Sequence, residues 1–239
     1  MQRYFARLDY GLVILEEDDL FHLHQVMRLK VGDEIEVVIK NKLYLTKILS
    51  IKPSEIKIIK ELDDSSEPNH HVTLMFSPLK GQKTELVLQK ATELGVSEII
   101  LVVSQRTIVR YEQKDIAKKL IRYQKIIKEA SEQSKRLTIP KIKYYCDFDK
   151  ALNITADLKL IANEELVGPT NSFNELIVHL KKDQKIALLI GPEDGFTKEE
   201  VVLAYNQSFL GISLGQRILR AETAALYALS VIINKLEYK

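Results

Sequence analysis

Short apolar runs separated by turn residues mark the beginning of the chain as β-rich. Turn residues such as Asn41 and Pro53 split runs that are rich in β-branched side chains. The pattern predicts strands over residues 34–39, 43–51 and 55–61. A short helix over residues 20–29 is expected to end before Gly32. Residues 1–62 are therefore predicted to form a small meander or barrel.

A polar, turn-rich stretch at residues 62–69 follows and is the best candidate for a linker. Beyond it, strands are predicted over residues 72–76, 97–104, 141–145, 158–162, 185–190 and 209–214. Helices are predicted over residues 84–94, 115–136 and 221–236, and at two capping boxes that begin at Ser172 and Thr197. Buried strands alternating with helices are typical of an α/β fold with a mostly parallel sheet covered on both faces. We therefore expect two domains, residues 1–69 and 70–239.

Charge is distributed unevenly along the chain, although the net charge is only +2. Residues 71–150 carry 16 Lys and Arg against 9 Asp and Glu, and the flanking segments are slightly acidic. A basic stripe of this kind is typical of a protein that binds a phosphate backbone. The same charges on the predicted helix 115–136 are equally compatible with an ordinary solvated face. Charge alone leaves both interpretations open.

Composition limits the class of protein. Hydrophobic residues make up 46% of the 239 residues, enough for a sizeable core. No apolar run reaches the roughly 18 residues of a membrane span, and the N-terminus lacks a secretory signal pattern, so we expect a cytoplasmic protein without a membrane partner. The single Cys146 excludes an internal disulfide and a multi-cysteine metal site. The pair His70 and His71 is more typical of a strand start than of a metal site, so no metal is expected.

Motifs of several enzyme classes are missing. The chain has no Walker-type phosphate loop, zincin helix, G-x-S-x-G elbow or G-x-G-x-x-G fingerprint. This argues against kinases, ATPases, lipases and ordinary dinucleotide-dependent dehydrogenases. Glu129, Gln133 and Arg136 share one face of the predicted helix at i, i+4 and i+7, a spacing that purely structural helices also show.

Two glycine-marked turns near the end of the chain are its most informative feature. Residues 190–196 and 214–220 each follow a short apolar strand and precede a helix. Glycine lets the backbone approach a ligand closely, and α/β proteins bind ligands at the carboxyl ends of their strands. The second turn carries Arg217 and Arg220 before a helix start, which favours anionic or polar groups. A structural ion pair between Arg220 and Glu222 is the alternative.

These turns carry a resemblance. Residues 190–196 (IGPEDGF) and 214–224 (LGQRILRAETA) resemble the signature loops of SPOUT-class RNA methyltransferases, most closely the ribosomal RNA small subunit methyltransferase E family. Residues 26–33, 89–96, 106 and 129–136 match the same family, in order along the chain. One departure is Asp194, where the family usually has Gly. Asp tolerates left-handed backbone better than most residues, and it adds a negative charge beside a cationic cofactor.

The resemblance implies a fold and an activity. The implied fold is a knotted SPOUT-type C-terminal domain with a mostly parallel sheet and a small N-terminal PUA-like β-barrel that recognises RNA. The implied activity is S-adenosylmethionine-dependent methylation of N3 of a uridine in 16S ribosomal RNA, on the assembled small subunit. The resemblance also implies a homodimer.

The resemblance also assigns roles to residues. Cofactor binding falls to Ile190, Gly191, Pro192, Glu193, Gly195, Leu214, Gly215, Ile218, Leu219 and Thr223. Arg220 is expected to stabilise charge that develops on the uracil carbonyl oxygens, and Glu129, Glu222 or water to take the proton. The residues expected to hold RNA phosphates are Arg28, Lys30, Lys80, Arg106 and Arg136.

Two other functions remain open on the residues alone. A non-catalytic RNA-binding module would use the glycine turns only to tighten strand–helix packing, and would not bind S-adenosylmethionine. An enzyme that binds a dinucleotide at the same strand ends is the second alternative. The missing G-x-G-x-x-G fingerprint argues against it, and titration with NADH tests it.

Overall fold

The computed structural model describes residues 1–64, 67–68, 70–163, 173–181 and 183–237. The chain divides into two compact units. The N-terminal unit comprises Met1–Glu67 and Ser131–Thr138, and the C-terminal unit comprises Pro68–Ala130 and Ile139–Lys239. The sequence does not predict that residues 131–138 belong to the N-terminal unit. Residues 65, 66 and 69 of the expected linker, and Ser172 of one expected capping box, lie outside the described residues.

The N-terminal unit is built mainly from β-strands. Its strands are β1 (Arg3–Phe5), β2 (Arg7–Asp9), β3 (Leu12–Ile14), β4 (Glu34–Ile39), β5 (Lys42–Ser50) and β6 (Glu55–Leu62). Four of them form a sheet in the order β1-β4-β5-β6, in which only β1 and β4 pair in parallel, and β2 and β3 form a separate antiparallel pair. The three predicted strands are confirmed as β4, β5 and β6. The sequence pattern missed β1, β2 and β3.

The helix predicted over residues 20–29 begins and ends three residues earlier, and its second half is not α-helical. Helix α1 (Glu17–Phe21) continues into one π-helical turn, His22–Val26. The backbone N–H of Met27 donates to the carbonyl of His22, and Arg28 then takes a positive φ of 55°. A left-handed residue cannot continue a right-handed helix, which ends the element here.

A buried arginine, Arg3, links residues 131–138 to the rest of the N-terminal unit. Arg3 is buried, and its guanidinium donates to Glu36 at 2.9 Å and to Asp64 at 2.7 Å. The same guanidinium also donates to the carbonyl of Lys135. Because every buried charge here has an opposite charge or a carbonyl beside it, the desolvation cost of burial is offset.

The C-terminal unit has a parallel sheet of six strands. These are β7 (His71–Phe76), β8 (Glu98–Val102), β9 (Lys141–Tyr145), β10 (Leu158–Ala162), β11 (Lys185–Ile190) and β12 (Phe209–Ile212). Its helices are α2 (Lys83–Glu93), α3 (Gln113–Gln133), α4 (Phe148–Leu152), α5 (Phe173–Val178), α6 (Lys198–Asn206) and α7 (Ala221–Glu237), and the end of α3 belongs to the N-terminal unit. The strand order is β12-β10-β11-β7-β8-β9, and all pairings among the described strands are parallel. The predicted α/β class and mostly parallel sheet are confirmed.

Both faces of this sheet are buried, as its apolar strands predict. Leu74 and Phe76 of β7 belong to one hydrophobic cluster, while Met75 between them belongs to a second cluster. Successive side chains of a strand point to opposite faces, so the two clusters lie on opposite faces of the sheet. Within the described ranges, no helix is long and apolar enough to cross a membrane.

The strand order determines which loops come together. Strand β10 lies between β11 and β12, so the carboxyl ends of these three parallel strands lie side by side at one edge of the sheet. That edge is the carboxyl edge, where open α/β sheets bind their ligands. The two glycine-marked turns are the loops after β11 and β12.

Candidate functional site

A cavity of about 290 Å³ opens at the carboxyl edge of β10, β11 and β12. The turn after β11 and the turn after β12 form most of its wall, and Ala162, Asn163, Arg106, Ala221 and Ala224 also line it. The whole cavity lies within the C-terminal unit. The structure therefore brings together the two turns that the sequence singles out.

Most of the predicted cofactor residues line this cavity. They are Ile190, Gly191, Pro192, Glu193, Gly195, Leu214, Gly215, Ile218 and Leu219. Thr223 is outside the lining and is exposed on α7. Sequence reasoning missed Ala162 and Asn163, because only the strand order places the end of β10 between the two turns.

Two glycines are needed here for different physical reasons. Gly215 has φ +123°, a conformation that L-residues rarely adopt, and a Cβ at this position would have no protein atom within 4 Å. A side chain there would be strained and would stand in the open space of the loop. Gly191 instead lies under Phe196, and a Cβ there would approach the ring to 3.1 Å. One glycine is required by its backbone conformation and the other by close packing.

Asp194 occupies its position without left-handed backbone. The left-handed residue of this turn is Gly195, with φ +67°, and Asp194 is not among the residues of positive φ. The departure from the family pattern therefore causes no conformational strain. Asp194 does not need to adopt left-handed backbone, so its tolerance of that conformation does not matter here. The Asp194 side chain is exposed, and its carbonyl accepts a hydrogen bond from Arg106 at 2.8 Å.

Backbone groups and apolar side chains share the cavity wall. Among the described residues, no backbone–backbone hydrogen bond uses the N–H or C=O groups of residues 214–219. The Ser213 hydroxyl donates weakly to the carbonyl of Gly215 at 3.4 Å. The apolar part of the wall includes Ile190, Ile212, Leu214, Leu219 and Ala224. This combination suits a planar ligand with polar edges.

A capping box anchors the far end of the first turn. The Thr197 hydroxyl accepts from the Glu200 N–H, and the Glu200 carboxylate accepts from the Thr197 N–H at 2.9 Å. The predicted capping box at Thr197 is thus confirmed. The other Glu200 oxygen accepts from the Gln105 N–H at 2.6 Å. The turn after β11 is therefore tied to the loop after β8.

None of the three catalytic candidates, Arg220, Glu222 and Glu129, is among the residues that line the cavity. Arg220 is exposed immediately before α7, and its carbonyl accepts from the Ala224 N–H at 2.8 Å. Glu222 pairs with Lys83, with 3.2 Å between Oε1 and Nζ, so the ion pair between Arg220 and Glu222 does not form in the structure. The buried Oε2 of Glu222 has no hydrogen-bond partner among the described residues. Glu129 is exposed on α3 and does not line the cavity.

The five residues expected to bind RNA differ in their surroundings. Arg28 and Lys30 are exposed in the N-terminal unit, and Lys80 is exposed in the C-terminal unit. Arg106 is also exposed, but its guanidinium donates to two backbone carbonyls. Arg136 is buried and paired with Glu67 at 2.6 Å. The expectation that Arg136 holds RNA phosphate is wrong for this structure, since its guanidinium is not accessible.

Comparison with known families agrees with the fold and the site. Residues 65–233 match the family model of an RNA methyltransferase domain, and residues 15–61 match an RNA methyltransferase PUA domain. Fold and site thus define an RNA methyltransferase with a PUA-like N-terminal domain. A ribosomal RNA small subunit methyltransferase E of Bacillus subtilis is 32% identical over 251 residues, 99% of this chain and 98% of that protein. The chain belongs to the ribosomal RNA small subunit methyltransferase E family, as the signature loops predict.

Solved structures show the same architecture. A methyltransferase from Legionella pneumophila, solved with bound SAM, superimposes with a TM-score of 0.88 at 30% identity and covers 97% of this chain and 96% of its own. A ribosomal RNA small subunit methyltransferase E from Neisseria gonorrhoeae, bound to S-adenosyl methionine, gives a TM-score of 0.83 at 29% identity, with the same coverage.

Proposed function

We propose that this chain transfers the methyl group of S-adenosylmethionine to N3 of one uridine in 16S ribosomal RNA, on the small ribosomal subunit. The observation that carries the proposal is the cavity formed by the 190–196 and 214–219 turns in a member of this family. Relatives over nearly the full chain are named ribosomal RNA small subunit methyltransferase E, and two similar structures contain the cofactor.

The cavity wall fits S-adenosylmethionine in chemistry and size. Its volume of about 290 Å³ is near the lower end of the range typical of small-molecule sites. Apolar side chains such as Ile190 and Leu219 can sandwich an adenine ring, and the backbone groups of residues 214–219 can bond to its edge. The missing side chain of Gly215 leaves the open space that the ligand needs.

The bound cofactor supplies an electrophilic methyl group on a sulfonium, so the protein mainly positions the acceptor. The uridine must leave its stack and lose its N3 proton as the methyl arrives. Negative charge then develops on the flanking uracil oxygens. We assign its stabilisation to Arg220, whose exposed guanidinium lies one residue before Ala221 of the cavity wall.

Of the two candidate carboxylates for the N3 proton, Glu222 is the better supported. It lies between Ala221 and Ala224, which line the cavity, and its Oε2 has no hydrogen-bond partner among the described residues. The ion pair with Lys83 at Oε1 holds the side chain in place. Glu129 leaves the proposed set because it lies on α3, which contributes no residue to the cavity wall, whereas α7 contributes Ala221 and Ala224. If a Glu222→Gln variant has the same single-turnover rate as the wild type, Glu222 is not the base, and water takes the N3 proton.

RNA contacts are assigned to exposed cations. Arg28 and Lys30 lie in the unit that matches the PUA domain, and Lys80 lies in the methyltransferase unit. Each cation that neutralises one phosphate contributes about 0.7 to 0.9 to the slope of log affinity against log salt. Replacing Arg28 and Lys30 with Ala is expected to lower that slope by the contribution of up to about two phosphate contacts. Cofactor affinity should stay unchanged.

We also propose features of the fold and assembly. A closed PUA-like β-barrel for residues 1–69 is supported by the packing of β3 against β6. A knot within residues 70–239 is supported by the position of β12, which crosses to the far side of β10 instead of pairing with β11. A homodimer in the cytoplasm completes the proposal, and light scattering on the purified chain tests the assembly. Exposed apolar side chains on neighbouring helices, Leu86 of α2 and Tyr227 of α7, support a partner surface.

The activity is tested in two steps. Calorimetry with S-adenosylmethionine and no RNA is expected to show binding, whereas a non-catalytic RNA-binding module would show none. NADH is expected not to compete. Labelled methyl groups should then pass from the cofactor to small subunits isolated from cells that lack this protein. Binding without transfer would overturn the proposed activity.

A further inference from the structure

Arg106 lies in the loop between β8 and α3 and is part of the cavity wall. In the sheet, β7 separates β8 from β11. Neighbouring strands are about 4.8 Å apart, so the loop after β8 and the turn after β11 start about 10 Å from each other. Only a long side chain can bridge that distance, and Arg106 does so.

The guanidinium of Arg106 forms hydrogen bonds with the residue before Gly195 and with the residue after it. Its Nη1 donates to the carbonyl of Asp194 at 2.8 Å and to the carbonyl of Phe196 at 3.3 Å. These two carbonyls flank Gly195, the left-handed residue of the turn. Gly195 and Phe196 both line the cavity. Arg106 therefore fixes the course of the backbone where it meets the ligand space.

The residue before Arg106 makes a second tie to the same turn. The Gln105 N–H donates to the buried Glu200 carboxylate, which also closes the capping box at Thr197. The turn after β11 is thus held at two points by adjacent residues of one loop. Both ties are charge-assisted, because a guanidinium donates in one and a carboxylate accepts in the other. Only the Arg106 tie is made to the carbonyl of a residue that lines the cavity, Phe196.

We infer that Arg106 is a positioning residue for S-adenosylmethionine, acting through the 194–196 turn, and not a phosphate ligand for RNA. The inference rests on the proposed function, because it assumes that the cavity holds this cofactor. The two roles predict opposite outcomes. A phosphate ligand changes RNA affinity and its salt dependence. A positioning residue changes cofactor affinity and leaves the salt dependence unchanged.

The test measures both quantities in the same variants. Arg106→Ala is expected to raise the Kd for S-adenosylmethionine about tenfold, as for the loss of one charge-assisted hydrogen bond, and to raise KM for the cofactor more than it lowers kcat. Arg106→Lys is expected to recover part of the affinity, since its ammonium can still donate to one carbonyl. Lys118→Ala, which removes one cation from the exposed face of α3, is the matched control and should leave the cofactor Kd unchanged.

The outcomes separate this inference from the proposed function. A wild-type chain that does not bind S-adenosylmethionine would contradict the proposed function itself. A wild-type chain that binds it, with an unchanged Kd in folded Arg106→Ala and a lower RNA salt slope, would overturn the positioning role alone. If the alanine variant does not fold, the lysine variant decides, and wild-type cofactor affinity there overturns the inference.

Discussion

Arg136 and Glu67 form an ion pair inside the N-terminal unit, with 2.6 Å between Nη2 and Oε1. The Arg136 side chain is only 5% exposed. The Glu67 carboxylate also accepts hydrogen bonds from the Leu137 and Thr138 N–H groups and from the Thr138 hydroxyl. The pair therefore anchors residues 131–138, and the basic character of this segment does not reach the surface at Arg136.

Replacing Arg136 should reduce stability and leave RNA binding unchanged. Arg136→Ala leaves the Glu67 carboxylate uncompensated in a largely buried site, which typically costs about 3 to 5 kcal/mol. Urea denaturation measures the loss. Lys57→Ala, at an exposed position of β6, is the control and should cost little. If Arg136→Ala were as stable as the control but had a lower RNA salt slope, the arginine would be a phosphate ligand after all.

The contribution of Glu67 to stability should depend on pH. Burial alone would raise the pKa of Glu67, but the Arg136 guanidinium, the Thr138 hydroxyl and the Leu137 N–H outweigh it and lower the pKa below the ordinary value. A carboxyl group with a lowered folded pKa stabilises the protein fully above its unfolded pKa of about 4.3. That stabilisation is lost as the pH falls through the lower folded pKa.

The stability gap between wild type and Glu67→Gln is therefore expected to be largest at neutral pH and to narrow below about pH 4. Denaturation across a pH series measures it. Glu55→Gln, at an exposed position of β6, is the matched control. A gap that stays constant down to the acid limit would show that the charge of Glu67 is not what stabilises residues 131–138.

Gly215→Val should abolish cofactor binding. Any side chain at φ +123° is strained, and a valine there would also fill the open space of the loop. Gly11→Val is the matched control, because Gly11 also has a positive φ, +82°, with no atom near its Cβ position, but lies in the N-terminal unit. Both variants should lose some stability, and calorimetry should show lost S-adenosylmethionine binding only in the first. Equal binding in the two variants would remove Gly215 from the site.

Arg220→Lys should keep cofactor and RNA binding but slow methyl transfer. A point charge cannot reproduce the planar fork of a guanidinium that donates to a developing oxyanion. Loss of one such donor typically slows chemistry by about a hundredfold to a thousandfold. Single-turnover transfer at saturating RNA and cofactor is the measurement, with Arg122→Lys on the exposed face of α3 as the control. A rate near that of the control would show that Arg220 does not stabilise the developing charge, and backbone amides would then have to do so.

The sequence predicts the parts of the site that depend on local conformation. Gly191, Gly195 and Gly215 mark turns that follow apolar strands, and local rules are enough to find them. The capping box at Thr197 is equally local. The parallel sheet follows from the alternation of buried strands and helices.

Local sequence rules cannot predict features that depend on residues far apart in the sequence. Ala162 and Asn163 join the site only because β10 lies between β11 and β12. Arg136 looks like a surface cation until Glu67, far away in sequence, is placed beside it. Strands β1, β2 and β3 have only three residues each, too few for a period-two pattern to be distinguished from a loop.

The most direct test is nucleoside analysis of the product. Small subunits from cells that lack this protein are incubated with the purified chain and S-adenosylmethionine, and the 16S ribosomal RNA is digested and mapped by mass spectrometry. The proposed function predicts N3-methyluridine at a single position, absent without cofactor and absent with the Gly215→Val variant. Methylation at a different atom or base, or no methylation by a chain that binds the cofactor, would contradict it.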